Sequence, residues 1–301
     1  MRRRSRVLAI LLLPVLIAGA ETFVLSATAR TVLFVDFYRG WHALWPLKAG
    51  ADAPEHLVRY FGKLTPIWSN IAPGVTMFLD PYDRVTESIL FRRTWEPSTT
   101  QQLLRHVTPG GTFVDVGAHV GWYTLQAARV VGPKGRVIAV EPNRETLAVL
   151  RANIHASGID RIVVVAPVAC ADSETALTLY AASRENTGES SLSRTNASQE
   201  FPIAASYMVR ARRLDDIVRE AGPGHVDAIK IDVEGAEFLV LKGAAETLDR
   251  DRPTVSVELI DHQLRSMGSS AAELTSFMQS HGYRAAGAYE ENTIFVPVSA
   301  P

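Results

Sequence analysis

The stretch Gly111 to Pro142, GTFVDVGAHVGWYTLQAARVVGPKGRVIAVEP, constrains the fold of this chain more than any other. Thr112 to Val116 is a short run of β-formers, Gly117-Ala118-His119-Val120-Gly121 is a turn, and Trp122 to Val131 carries apolar residues at helical spacing until Gly132-Pro133 stops it. Arg136 to Val140 is a second apolar strand, ended by Glu141-Pro142. A parallel βαβ unit of this kind brings the first turn and the end of the second strand to one edge of a sheet, where nucleotides bind in open α/β proteins.

The turn itself narrows the ligand. Gly117 permits unusual dihedrals and close backbone approach, and Gly121 lets the following helix pack near the sheet or a ligand. Glu141, at a strand end about twenty residues past the turn, is placed to accept hydrogen bonds from ribose hydroxyls. The spacing is D-x-G-x-x-x-G (Asp115, Gly117, Gly121), without the third glycine that a dinucleotide pyrophosphate prefers. An acid before the first glycine repels phosphate and suits a ligand carrying an ammonium, which favours S-adenosylmethionine over NAD. Two other readings remain open: a glycine turn that serves chain geometry alone, and an NAD(P)-dependent enzyme.

With 301 residues, 47% of them hydrophobic and 21% charged, the chain can bury a substantial core, and one catalytic domain with an N-terminal extension is the natural division. The formal net charge of −1 includes Arg2, Arg3, Arg4 and Arg6, so the remainder is acidic and no nucleic-acid partner is expected. The single cysteine, Cys170, excludes an intramolecular disulfide and a cysteine-rich zinc site. No metal-ligand pattern is read from the sequence.

Residues 1–40 read as a targeting or membrane-associated segment: a basic start, an apolar run from Val7 to Ala20 that is short for a bilayer span, and renewed apolar character from Val32 to Tyr38. Ala18-Gly19-Ala20 matches a signal-peptide cleavage site, so export is one outcome. Another is a surface-lying anchor in which Val7 to Leu25 and Val32 to Tyr38 enter and return, with Trp41 and Trp45 at the interface; a buried N-terminal helix, with the tryptophans packed on the domain, is a third. Because S-adenosylmethionine is a cytosolic metabolite, the second arrangement is expected, with the catalytic domain in the cytoplasm.

Residues 41–108 form a lead-in region with a strand at Thr76 to Leu79, an ordered segment at Val85 to Phe91 and a helix bearing Leu103, Leu104 and Val107; residues 109–301 form the main domain. Further along, Ile162 to Val165 is a third strand, with Ala169 to Asp172 following on the same sheet edge. Ser183 to Gln199 is a polar segment read as a mobile loop, either a lid or a solvated linker. In Val226 to Glu237, VDAIKIDVEGAE, a buried strand ends in Asp232 and a helix opens at Glu234-Gly235-Ala236-Glu237 and runs to about Leu248. Acids in a first helical turn are favoured by the helix dipole, which explains Glu234 and Glu237 without any function. Asp232 instead faces the crevice at the carboxyl end of a central strand. Pro253 to Leu259 is a fifth strand containing Glu258, Ala271 to His281 a helix, and Tyr283 to Ala288 with Asn292 to Val298 an antiparallel hairpin.

The ordered set Asp115-Val116-Gly117-Ala118-His119-Val120-Gly121, Glu141-Pro142-Asn143, Lys230-Ile231-Asp232-Val233-Glu234-Gly235-Ala236-Glu237 and Pro253 to Glu258 resembles the FkbM family of S-adenosylmethionine-dependent methyltransferases. Trp95-Glu96, Gly188 to Leu192 and Arg213 to Asp216 also look like family features. The resemblance covers roughly residues 76–298. It implies a Rossmann-like α/β fold, a seven-stranded sheet with helices on both faces. It also implies O-methyl transfer to a small molecule, glycan or glycolipid. On that basis Asp115, Gly117 and Gly121 would hold the methionine part, Glu141 with Pro142 and Asn143 the ribose, and Asp172 the adenine region. His119 departs from the asparagine usual in the family; it is placed with the cofactor-binding turn. Asp232 is the first candidate for accepting the acceptor's proton, with Glu234 and Glu237 behind it, and His262 is a further possible base. A membrane-anchored nucleotide-binding module without catalysis is the competing class. The sequence names neither the acceptor nor an oligomeric state.

Overall fold

Residues 27–44, 64–222 and 224–298 are described by a computed structural model. Strand β3 (Thr112–Val116) is buried along its whole length because a parallel neighbour lies on each side and helices cover both faces. On one side run β4 (Arg136–Val140) and β5 (Val163–Ala166). On the other come β9 (Ala228–Ile231), β10 (Thr254–Glu258), and then the hairpin strands β12 (Asn292–Pro297) and β11 (Tyr283–Tyr289). The sheet order is β5-β4-β3-β9-β10-β12-β11, parallel except for β12, which is antiparallel to both neighbours. The chain winds outward from β3 to β5 and returns to β9 beside β3. That reversal opens a crevice at the carboxyl ends of β3 and β9, where α/β sheets bind ligands. The fold is a Rossmann-like α/β fold with a mixed seven-stranded sheet.

The period-two alternation of the strands divides the core. Phe113, Val137 and Ala139 pack with helices α4 (Trp122–Val131) and α5 (Arg144–Ala156) on one face. Val114, Val116, Ile138 and Val140 pack with α6 (Leu214–Ala221), α7 (Glu237–Lys242), α8 (Ala245–Asp251) and α10 (Ala271–Ser280) on the other. The helix expected to run unbroken to Leu248 is therefore two helices, interrupted at Gly243 and Ala244.

The lead-in region is continuous with the first of these cores. Helix α1 (Ala27–Leu44) buries Phe34 and Val35 there, and Phe34 meets Phe91 edge to face at 5.9 Å. The Arg39 guanidinium donates to the Leu90 carbonyl at 2.6 Å and to Ser69 Oγ at 3.1 Å. These contacts correct the reading of Val32 to Tyr38 as a membrane segment: its central residues belong to the protein core, although Leu33 is 58% exposed. No helix among the described residues is long and apolar enough to cross a membrane. The run Val7 to Leu25 lies outside the described residues, as do Trp45 and the side chain of Trp41. A hairpin of β1 (Ile67–Ala72) and β2 (Val75–Leu79) follows, then α2 (Arg84–Arg92), capped by Asp83, and α3 (Pro97–Leu104). Phe78 N–H donates to Asn153 Oδ1 of α5 at 2.6 Å, which fastens the hairpin to the main domain.

Beyond β5 the chain leaves the main sheet. Ala169–Cys170 is a short strand (β6) in a separate three-stranded sheet, parallel to β8 (Ile203–Arg212), which is antiparallel to β7 (Thr175–Ala182). Residues Ser183 to Gln199 are not the solvated loop expected from their polarity. Two turns of 3-10 helix, Arg184–Glu189 and Asn196–Ser198, organise them, and Asn186, Ser191, Ser193 and Asn196 are buried.

If α1 is part of the core, Phe34→Ala is expected to destabilise the chain by about 3 kcal/mol. Chemical denaturation of the detergent-free protein measures this, and a loss near zero would return α1 to the role of a detachable surface segment.

Candidate active site

Gly117 follows β3 with φ +82°, and a Cβ there would overlap the carbonyl oxygen of Asp232. Only glycine allows the two strand ends to close this far, and Asp232 N–H donates to Val116 O at 3.0 Å across the same gap. The next residues fold over β4: Gly117 and Ala118 N–H both donate to Val140 O at 3.0 Å. His119, held at φ 51°, turns its N–H onto Glu141 Oε2 at 2.7 Å, while Asn143 N–H donates to Glu141 Oε1 at 2.8 Å. Both carboxylate oxygens are thus fixed by backbone, each with a lone pair to spare. Burial raises the Glu141 carboxyl above its ordinary pKa, against the opposing pull of His119 and these N–H donors.

Two adjoining cavities meet at this edge. The smaller, about 550 Å³ including its mouth, is lined by Gly117, His119, Glu141 and Pro142, with apolar walls from Val140, Val168, Leu179 and Leu192. The larger, about 1260 Å³ including its mouth, is bounded by Trp95, Trp122 and Tyr123 and by seven carboxylates: Glu96, Glu189, Glu200, Asp232, Glu234, Glu258 and Glu291. Gly117, His119, Gly188 and Asp232 belong to both, so Asp232 stands at their junction. His119 bridges to the opposite wall through its Nε2, 2.6 Å from Thr187 Oγ1.

The polar chemistry centres on Lys230, which is 1% exposed in the middle of β9, with its Nζ 2.8 Å from Asp232 Oδ2. Burial alone pulls the ammonium's pKa down, but Asp232, Glu96 and Glu258 together outweigh it and keep the group charged. Glu96, in the left-handed region at φ 40°, accepts from Tyr123 OH at 2.6 Å and from Asn292 Nδ2 at 3.0 Å, and its own carboxyl is raised, chiefly by burial. Glu258 and Glu234 stand well above the usual carboxylate range, through burial first and then through the charge of Asp232.

Several expected residues sit behind the cavities. Asp115 is buried and lines neither cavity; its Oδ2 accepts from Thr124 Oγ1 at 2.6 Å. The idea that it faces a cationic ligand is replaced by a role inside the sheet. Gly121 abuts Leu125 and Leu150, and Asn143 caps α5 through Glu145 N–H. Asp172 is turned away to Lys242, 3.1 Å distant, and lines neither cavity; Val168, Ala169 and Cys170 just before it line the smaller one. Glu237 is fully buried, and its Oε1 accepts from the backbone N–H of Val233 at 3.0 Å and of Gly235 at 3.1 Å. It fixes the turn carrying Asp232 and Glu234 and reaches neither cavity, and burial pushes it up to about 7. Glu234 itself precedes the helix, at φ 55°, and lines the larger cavity with Asp232. His262, on the short helix α9 (Asp261–Ser266), lies at that cavity's wall and pairs with Gln199 Oε1 at 3.1 Å. The residues that sequence reasoning underweighted are Lys230, Glu96, Tyr123 and Glu258. A lysine inside an otherwise apolar strand is the signal that could have found them, because it demands buried anionic partners.

The profile of the methyltransferase FkbM domain matches residues 115–285, more than half of the chain. The chain belongs to the FkbM methyltransferase family. It is 30% identical over 158 residues to methyltransferase sdnD of Sordaria araneosa, matching 44% of this chain and 60% of that protein. It is also 26% identical over 203 residues to the AMB antimetabolite synthetase AmbE of Pseudomonas aeruginosa, matching 58% of this chain but 10% of AmbE. The chain therefore spans less than two thirds of either relative. A crystal structure of an FkbM methyltransferase from Methylobacillus flagellatus aligns with a TM-score of 0.42 at 18% identity, covering 72% of this chain and 55% of that one. S-adenosylmethionine is the cofactor that accompanies an FkbM domain. The residues of the smaller cavity fit it: Glu141 offers fixed acceptors to ribose hydroxyls, and Val140, Val168, Leu179 and Leu192 offer apolar walls to a base.

Burial pushes the Asp115 carboxyl up to about 6, against the hydrogen bond from Thr124 and the charge of Lys230. Between the ordinary carboxylate range and about 6 the folded chain keeps a proton that the unfolded chain has released. Asp115 therefore favours folding less as pH rises through that window, and least above it. Asp115→Asn removes this titration while keeping an acceptor for Thr124. Its melting temperature relative to wild type is expected to rise between about pH 4 and about pH 7. Melting curves at the two pH values check this; a pH-independent difference would contradict it.

Proposed function

We propose that the chain transfers a methyl group from S-adenosylmethionine to a hydroxyl oxygen of a small-molecule, glycan or glycolipid acceptor. The observation that carries this reading is the position of Asp232 at the junction of the cavity that holds Glu141 and a larger one. When bound, the cofactor supplies an electrophilic methyl group on a positively charged sulfur, which an acceptor oxygen takes as its proton leaves. Glu141 holds the ribose, and Gly117 and His119 bring backbone and imidazole to the border between the two ligands. Asp232 is 27% exposed and keeps one carboxylate oxygen free of Lys230. Lys230 holds it in place, so that it can orient the hydroxyl and receive its proton. The carboxylate lining of the larger cavity accepts hydrogen bonds from a polyhydroxylated acceptor.

Two substitutions divide binding from chemistry. Glu141→Ala is expected to weaken S-adenosylmethionine binding by about 1.5–3 kcal/mol in calorimetric titration. Asp232→Asn is expected to leave that affinity nearly unchanged while methyl-label transfer into a fractionated glycan or lipid extract falls steeply. Unchanged affinity in the first variant, or near-normal transfer in the second, would overturn the respective role.

We further propose that the N-terminal residues associate the chain with a membrane surface while the catalytic domain stays in the cytoplasm. The basic start and the run Val7 to Ala20 support the association, and the cytosolic origin of the donor supports the side. Protease digestion of intact and opened cells is expected to cut the domain only in the latter. Digestion from outside, or a mature protein beginning after Ala20, would establish export instead.

A further inference from the structure

We propose that Asp232, Glu234 and Glu258 form a binding site for a hard divalent cation on the wall of the larger cavity. The parallel register pairs Val257 with Ile231, so Glu258 and Asp232 leave neighbouring strands side by side at the same edge. Glu234 is brought back toward them by a tight turn. It sits at φ 55° and Gly235 at φ 105°, and a Cβ on Gly235 would overlap Asn196 Nδ2 and lie 2.7 Å from Gln263 O. One carboxylate oxygen from each of the three residues lies within 4.8 Å of the other two.

A second observation separates this cluster from a merely acidic surface. Glu258 is 6% exposed and lines the cavity, yet no hydrogen-bond donor among the described residues reaches its Oε2. A buried carboxylate oxygen without a donor is costly unless a cation or a proton meets it. The charges nearby are lopsided. Lys230 is engaged with Asp232 at 2.8 Å and has Glu96 and Glu258 as further counter-charges, while Glu234 receives only the neutral amide of Gln263, at 2.8 Å. The ligand set is oxygen alone, which selects hard cations over zinc or copper. Three oxygens that all lie within 4.8 Å of one another can share one hard cation such as Ca²⁺. Three protein ligands leave positions open toward the cavity. If methyl transfer is the reaction, a point on which this part alone rests, those positions hold the acceptor hydroxyl beside Asp232 and lower its pKa.

The test uses the full chain, cleared of metal with chelator, without S-adenosylmethionine or acceptor. Terbium(III) serves as the luminescent stand-in for Ca²⁺, and Trp95, Trp122 and Tyr123, which line the same cavity, sensitise it. A saturable rise in sensitised emission that Ca²⁺ reverses is expected. Glu258→Gln and, separately, Glu234→Gln are each expected to lower the affinity at least about ten-fold, with melting temperatures in chelator close to wild type. No saturable emission from the wild-type chain overturns the site, as does unchanged affinity in either variant that folds. Methyl transfer indifferent to chelator and to added Ca²⁺, together with silent terbium titrations, would overturn the cation site and leave the methyltransferase reading standing. Terbium binding in a chain that transfers no methyl group would do the reverse.

Discussion

A charged row inside the sheet governs the rest of this structure. Asp115 on β3, Lys230 on β9 and Ser256 on β10 are direct neighbours in the parallel register, and all three are buried. An ammonium in this position is tolerable only if it stays paired, since removing one partner of a buried pair costs about 3–5 kcal/mol. Asp232 supplies the direct contact, and Glu96 and Glu258 supply the field. Lys230 therefore fixes the location of three carboxylates from different parts of the chain. The ring of Tyr123, 5.2 Å from Nζ, closes the remaining side and carries Glu96 on its hydroxyl. Three of the cavity's seven carboxylates thus answer to one lysine in a β-strand.

That dependence explains what was legible beforehand. The βαβ unit, the end of β9 and the C-terminal hairpin announce themselves through uninterrupted apolar runs and glycine punctuation, because both faces of a parallel sheet are buried. The position of Glu141 at a strand end beside the glycine turn was readable for the same reason. Asp115, Asn143 and Glu237 were misjudged because a motif shows which residue types travel together and not which of them face the ligand. All three spend their hydrogen bonds inside the protein, on Thr124, on the first turn of α5, and on the turn after β9. Asp172 failed differently. The resemblance assigned it to the adenine region, but the chain leaves the main sheet after β5 and Asp172 turns to Lys242.

Short, one-sided elements were the least visible. Strand β1 has a burial pattern of alternating exposure in a stretch interrupted by prolines, and α1 buries only part of its surface, so neither has the strong periodicity that separates core from membrane surface. Apolar composition alone could not distinguish a helix resting on α2 from one resting on lipid.

The segment Ser183 to Gln199 shows why polarity is a poor guide to exposure. Its side chains are polar because they are partners for backbone and charged groups that would otherwise be buried without any. Thr187 donates twice to Asp83 at the cap of α2 and meets the ring of His119; Ser190 receives Asn143 Nδ2; Ser191 and Asn196 donate to the carbonyl of Glu234. Of the residues so contacted, His119 and Glu234 line the cavities, while Asp83 and Asn143 stand behind them. The segment thus connects the wall holding Glu141 to the turn holding Asp232 and Glu234, and its hydroxyls do so at short range where aliphatic side chains would fill the cavities. The same residues that make the stretch look like a linker in sequence are those that let it act as a common wall, with the lead-in region clamped against it through Asp83.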